Sequence, residues 1–320
     1  MNNIFANIQG DKTLWAVLIL LAGFSFLPVY SAASNLAYVS GSGNTFNYLF
    51  KHFIHLSLGF TFMYLMQKIP YHYFRGISIL MIPVVIVLLL YTIFQPSVTD
   101  SLTNTNRWIK IPFVGFTFQP STLAGVILMI YVSRYLAKIK DIDVRFSQTI
   151  LPLWIPTLFI LLLILPANFS TTAIIFSMVI LLCFVGGYPI KHLLGIVLSG
   201  ILVLSIFILT IKAYPGIFPN RVDTWKSRIE NFVNKENTTE NYQIEKAKIA
   251  IATGGVRGLG PGKSVQKNFL PQSSSDFIFA IIIEEYGLIG GLFLLTVYAL
   301  FLLRIIIISN KAESVFGSLL

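Results

Sequence analysis

The chain has 320 residues, of which 55% are hydrophobic and only 11% charged, and its net charge is +10. A soluble domain carries about 25% charged residues, so the composition excludes a water-soluble enzyme core and indicates a polytopic membrane protein. The positive excess fits topology signals and anionic lipid headgroups better than nucleic acid, and a lone cysteine, Cys183 in an apolar run, excludes an intrachain disulfide.

Apolar runs predict eight spans, at 14–33, 47–66, 77–95, 114–137, 149–165, 168–187, 190–212 and 277–308, in a single membrane domain. The fold class is all-α, a helical bundle, because the bilayer core offers backbone groups no partner outside a helix or a closed barrel. The first run follows a short polar start and lacks the flanks of a cleavable signal, so it reads as a retained span. His52 and His55 sit one helical turn apart at the start of the second run. Without nearby acids or cysteines they fit interfacial packing better than a metal site.

Lysine and arginine set the expected orientation. With the N-terminus in the cytoplasm, the inner segments carry Lys12, Lys68, Arg75, Arg134, Lys138, Lys140, Arg145, Lys191, Arg304 and Lys311. The short outer segments carry only Lys51, Arg107 and Lys110. The positive-inside rule therefore favours an inner N-terminus and puts the long segment 213–276 outside.

That segment contains "GPGKS" at 260–264, which looks like the tail of a phosphate-binding loop. A Walker A motif needs glycine five places before the second glycine, and Arg257 stands there. No buried strand precedes it, so nucleotide binding is not expected. The segment carries ten Lys or Arg from Lys212 to Lys267 against five acids, with helical character over 242–252. Its glycines expose backbone N–H groups, and Arg257, Lys263 and Lys267 add charge. That combination suits either an anionic headgroup such as a pyrophosphate or a flexible loop lying on lipid headgroups.

"SSSDFIFAIIIEEYGLIGG" follows. Asp276 stands at the mouth of the last run, where it is either a helix cap or a partly desolvated carboxylate acting as general base. Glu284 and Glu285 lie about 12 Å deeper by helix rise, where charge is costly, and a structural or supporting role fits them. Arg107, beside Trp108 in "NTNRWIKIPFVGFTFQPST", suits either a headgroup phosphate or interfacial anchoring.

Together these stretches resemble the SEDS family (shape, elongation, division and sporulation), the FtsW/RodA peptidoglycan glycosyltransferases, from about Asp11 onward. The resemblance rests on Tyr242-Gln243, Gly254-Gly255, Gly262 to Lys267, Leu270-Pro271, Asp276 to Ala280 and Glu284 to Gly287. "NRWI" at 106–109, "FQPS" at 118–121 and "WKSRIENF" at 225–232, through Arg228, extend it. The wording is closest to the cell-division branch. The resemblance implies polymerisation of lipid II on the outer face of the cytoplasmic membrane during septal wall synthesis, beside a class B penicillin-binding protein and other division proteins. Asp276 is then the catalytic acid-base residue or a ligand for a divalent cation, Mg or Mn. Arg107, Arg228, Arg257, Lys263, Gln266 and Lys267 become candidates for substrate contact.

Three departures stand out. Thr122 and Gly125 occupy places where the family has Glu and Lys, and Asn168 stands where it has Asp. The family has ten spans, so the chain is expected to be a C-terminally truncated form. Two other readings stay open: a flippase for the lipid-linked precursor, which needs a polar path that these spans lack apart from Glu284 and Glu285, and a non-catalytic scaffold of the division complex.

Overall fold

The computed structural model describes residues 10–39, 45–95, 107–110, 117–140, 142, 144–213, 239–270 and 273–320. Among the described residues its regular elements are helices apart from one two-stranded ribbon. Five helices among the described residues are long and apolar enough to cross a membrane. The chain divides into two compact units, Met1–Ile69 with Lys226–Ile308, and Pro70–Trp225 with Ser309–Leu320.

The first unit opens with α1 (Lys12–Val39) and α2 (Thr45–Met66), which pack on each other. Asp11 caps α1: its Oδ1 accepts the Leu14 N–H at 3.0 Å, which satisfies one of the donors that every helix start leaves open. His52 bridges the two helices. Its Nε2 lies 2.8 Å from the Ser25 hydroxyl, and Phe26 meets the ring edge to face. His55 instead faces its own backbone, with Nδ1 2.6 Å from the Lys51 carbonyl oxygen. His52 thus packs between the two helices, while His55 is exposed on α2.

The second unit holds α3 (Tyr73–Phe94), the ribbon of β1 (Ile109–Lys110) and β2 (Thr117–Phe118), α4 (Pro120–Ile139), α5 (Phe146–Ile164), α6 (Phe169–Val185) and α7 (Ile190–Ala213). Its core is a seam of Val85, Leu89, Leu128, Val132, Leu136, Leu153, Ile160 and Val179, all buried. Within the fourth apolar run, Thr117–Phe118 is ribbon rather than helix. Ile109 pairs with Phe118 and Lys110 with Thr117, and the helix waits for Pro120, whose fixed φ suits a first helical position. The expected start at 114 lies outside the described residues, and the helix itself begins at Pro120.

Inside α5 a π-helical turn runs from Ile150 to Trp154. Pro156 has no N–H to offer the Pro152 carbonyl four residues back, and the Tyr131 hydroxyl donates to that carbonyl instead at 2.5 Å. Beside it, Tyr188 joins Thr149 at 2.7 Å and accepts the Trp154 indole N–H at 3.3 Å, so these three buried side chains satisfy one another. The short α10 (Val315–Leu319) rests on α4, its Leu319 carbonyl accepting the Ser133 hydroxyl at 3.0 Å.

Segment 213–276 contains α8 (Thr239–Gly254), as the helical character of 242–252 suggested, and a 3-10 turn, Gln266–Asn268. The last long element, α9 (Ile278–Asn310), is not the unbroken span expected over 277–308. Gly287 lies at φ 69° and ψ −172°, which divides α9 into a short leading half and a long trailing half. Its 33 residues would reach about 50 Å as one rod, well beyond a bilayer core of about 30 Å.

Candidate active site

The break in α9 and the glycine-rich loop after α8 form one construction. In a continuous helix Leu288 and Ile289 would donate to the carbonyls of Glu284 and Glu285. Here Leu288 donates to the Gly255 carbonyl at 2.9 Å and Ile289 to the Val256 carbonyl at 3.3 Å. The two carbonyls so released accept from the loop, Glu284 from Leu259 N–H and Glu285 from Gly260 N–H, both at 2.9 Å. The helix gives up two internal bonds and the loop supplies four. Irregular backbone at membrane depth persists only when its polar groups are satisfied in this way.

Such close approach dictates glycine. A Cβ on Gly258 would fall 2.3 Å from the Glu285 carbonyl oxygen, and one on Gly287 would fall 2.3 Å from that of Val256. Both residues also have positive φ, which side chains resist.

The side chains of the two glutamates complete the fastening. Both are buried, Glu284 at 0% and Glu285 at 1% exposure. The Glu284 carboxylate accepts the Ser264 hydroxyl, the Val265 N–H at 3.1 Å and the Gln266 N–H at 3.3 Å. One Glu285 oxygen accepts the Ser31 hydroxyl from α1 and the Ser264 N–H at 3.3 Å, while its other oxygen, Oε2, is buried with no hydrogen-bond partner. Lys267 closes the ring, its ammonium donating to Ser31 Oγ at 3.2 Å and to the Gly262 carbonyl at 2.8 Å. The donors that hold the Glu284 carboxylate are the Val265 and Gln266 N–H groups and the Ser264 hydroxyl, whereas the Gly258 and Gly260 N–H groups go to backbone carbonyls.

Two of the expected substrate contacts take part in this network. The Gln266 backbone N–H is spent on Glu284, and its Oε1 is buried away from solvent. The Lys267 ammonium is turned to the interior of the network. Arg257 and Lys263 remain exposed on the loop, the stem of Lys263 lying 3.4 Å from the Cβ position of Gly260.

Asp276 is in a turn two residues before α9 and is exposed. Among the described residues no hydrogen bond or ion pair engages its carboxylate, so it does not act as the cap of α9. The first backbone bonds of that helix come from Ile278 to the Ser275 carbonyl at 3.4 Å and Ala280 to the Phe277 carbonyl at 3.0 Å. Of the three acids in this block, two are consumed inside the protein and Asp276 alone is presented outward.

Arg107 belongs to the second unit, where it lines a small recess with Thr92, Ser121 and Asn168. Asn168 is the N-cap of α6, its Oδ1 accepting the Thr171 N–H at 3.2 Å, which accounts for asparagine standing in for the expected aspartate. Gly125 places α4 close to α6, a Cβ there lying 3.4 Å from Ile175 Cδ1. Arg228 lies outside the described residues. Ser31 and Ser264 were not anticipated. Ser31 is marked in the sequence only as a hydroxyl within an apolar run.

The sequence matches the FtsW/RodA/SpoVE family, described as a cell cycle protein, over residues 11–320. A probable peptidoglycan glycosyltransferase FtsW of Marinomonas mediterranea is 31% identical over 313 residues, covering 96% of this chain and 73% of that protein. The Coxiella burnetii protein of the same name is 28% identical, covering 97% and 81%. Among solved structures, a chain from a peptidoglycan synthase complex that coordinates polymerisation and crosslinking superposes with a TM-score of 0.67 at 19% identity, over 97% of this chain and 81% of that one. The rod shape determining protein RodA of Thermus thermophilus gives 0.62 at 18% identity, over 97% and 78%. These structures share the fold, and with the match along nearly its whole length the chain belongs to the FtsW/RodA/SpoVE family, the SEDS polytopic membrane proteins.

Proposed function

We propose that the protein is a peptidoglycan glycosyltransferase that polymerises lipid II on the outer face of the bacterial cytoplasmic membrane during septal wall synthesis. The observation that carries this reading is the outward, unengaged carboxylate of Asp276 at the head of a half-helix fastened by the glycine loop. A general base needs a free carboxylate in a fixed position, and both conditions meet there. The acceptor's 4-hydroxyl attacks the anomeric carbon of the donor, and its proton passes to Asp276. The new C1–O4 bond forms as the bond from C1 to the lipid pyrophosphate breaks.

Arg257 and Lys263, exposed on the same loop, offset the charge that develops on the leaving pyrophosphate. Arg107 and Arg228 contact the phosphates or headgroups from elsewhere in the chain. Gln266 and Lys267 act on substrate through the loop whose shape they hold. A Mg or Mn ion would find one protein carboxylate, Asp276, and the oxygens of the substrate's own pyrophosphate, a donor set that suits Mg. Among the described residues no cluster of three metal-binding side chains competes for it. A class B penicillin-binding protein is the partner that crosslinks the product.

The Arg304–Asp11 ion pair, at 2.6 Å, joins the start of α1 to the end of α9. This supports an even number of crossings between them and, with the positive-inside count, a cytoplasmic N-terminus. The test is lipid II polymerisation by the protein purified with its transpeptidase, comparing wild type with Asp276→Asn. Strands from wild type and none from an intact variant complex support the reading. Equal strands from both refute the role of Asp276, and none from either, where a related polymerase works, moves the scaffold and flippase readings forward.

A further inference from the structure

The second unit contains a cavity unrelated to the glycine loop. It has a volume of about 400 Å³ and lies between one face of α4 and the start of α5. Tyr131, Arg134, Tyr135 and Lys138 recur at helical spacing along that face, and Gln148 and Pro152 stand opposite. The Tyr131 bond to the Pro152 carbonyl pins the two walls together at the π turn.

The hydrogen-bonding capacity left inside is almost wholly of one kind. Arg134 is half-buried, and neither it nor Lys138 has an acidic partner among the described residues. Gln148 spends its Oε1 on the Arg145 N–H at 3.3 Å, which leaves its amide N–H groups to donate. The Tyr135 hydroxyl makes no hydrogen bond among the described residues. A guanidinium, an ammonium, an amide and a phenol therefore converge with donors to spare and few acceptors, which selects an anion. The local sequence agrees, with Arg134, Lys138, Lys140 and Arg145 against Asp141 and Asp143.

The rim indicates where the anion comes from. Ile142 lines the cavity and is 59% exposed, and Leu151, next to Pro152, is 73% exposed. A cavity with a cationic wall, opening beside exposed apolar residues and with two tyrosines at the boundary, suits a molecule with a charged head and an acyl tail. The volume suits a glycerophosphate headgroup.

We propose that this cavity is a binding site for the phosphodiester headgroup of an anionic glycerophospholipid. Arg134 and Lys138 hold the phosphate, Tyr135 and Gln148 donate to its oxygens, and the acyl chains run past Ile142 and Leu151. The site is independent of Asp276 and of the reaction proposed above.

The experiment is native mass spectrometry of the full chain released from nanodiscs of phosphatidylglycerol and phosphatidylcholine in equal parts. Wild type is expected to retain phosphatidylglycerol preferentially. Each lost charge lowers that retention about fivefold, so Arg134→Gln with Lys138→Gln lowers it about 25-fold. Lys138→Gln alone, on an exposed side chain that folding does not need, lowers it about fivefold and covers the case in which the double variant fails to fold. Equal retention of the two lipids by wild type, or unchanged retention by Lys138→Gln, overturns the proposal. Loss of bound phosphatidylglycerol on adding inorganic phosphate would also overturn it, because the site would then read free phosphate.

Discussion

The Glu284 carboxylate accepts the Val265 N–H at 3.1 Å from a site with no solvent exposure. Glu285, one residue on, is just as buried, yet one of its oxygens has no hydrogen-bond partner. Two adjacent glutamates of one sequence motif thus do unequal work, and their amides should differ.

In Glu284→Gln an NH2 must face donors on at least one side. That leaves Ser264 or a loop N–H buried and unsatisfied, at about 1–3 kcal/mol. In Glu285→Gln the oxygen can keep Ser31 and the Ser264 N–H while the NH2 takes the place of Oε2, which already lacks a partner, so no existing hydrogen bond is broken. Expected is a clear fall in Tm and faster amide exchange over 264–266 for the first variant, and near wild-type values for the second. Similar behaviour of the two would mean that the network is not what holds the loop.

The glycines permit a graded test. Ala at 258 or 287 meets backbone at 2.3 Å and also adopts positive φ, so the loop must leave the helix break, and polymerase activity should be lost. Gly255 has φ 52° with nothing within 4 Å of its Cβ position. Gly255→Ala should cost only the conformational term, about 1–2 kcal/mol, with activity retained. If Gly258→Ala and Gly255→Ala lose activity equally, proximity to the break is not the reason for glycine.

Much of this arrangement was legible in the sequence and part was not, for a physical reason. Apolar runs located the helices because burial in lipid is written residue by residue. The wrong spacing in "GPGKS" was enough to set nucleotide binding aside. The break at Gly287 was hidden because a glycine within "EEYGLIGG" reads as a helix residue unless one knows that Gly255 and Val256 come to take its hydrogen bonds. Ser31 was hidden for the same reason, lying 254 positions from Glu285 along the chain. Contacts that depend on the return of a distant segment leave no local period to read. The glycines suggested N–H groups free for an anionic headgroup, but composition could not show that Gly258 and Gly260 give theirs to backbone carbonyls while Val265 and Gln266 serve an internal carboxylate.

Asp276 should be dispensable for folding. Its carboxylate is exposed and caps nothing, so Asp276→Asn should move stability by no more than about 0.5 kcal/mol. Loss of the general base proposed above should lower the polymerisation rate by about 10²- to 10⁴-fold. A thermal melt beside the rate assay separates the two effects, and a large fall in Tm would point to a structural role instead.

Asn168 tests whether a departure from the family pattern matters. Asparagine and aspartate are comparable caps, so Asn168→Asp should leave Tm nearly unchanged, whereas Asn168→Ala should cost about 1 kcal/mol as the Thr171 N–H loses its acceptor. A strong gain of activity in Asn168→Asp would show instead that the position does chemistry.

Asp11 carries a pH signature. The Arg304 guanidinium, 2.8 Å from its Oδ2 through Nε, and the Leu14 N–H hold its carboxyl down to about 2. Because the folded value lies below the unfolded one, the pair's contribution is complete above about pH 4 and fades as pH falls toward 2. Asp11→Asn keeps the cap of α1 but removes the charge. Its Tm should therefore lie below that of wild type by a constant margin from neutral pH down to about pH 4, and the margin should close below that as the wild-type carboxylate protonates. A margin that persists unchanged at pH 2 would assign the stabilisation to the shape of the side chain rather than to its charge, and the ion pair would no longer be evidence that charge fixes the start of α1 to the end of α9.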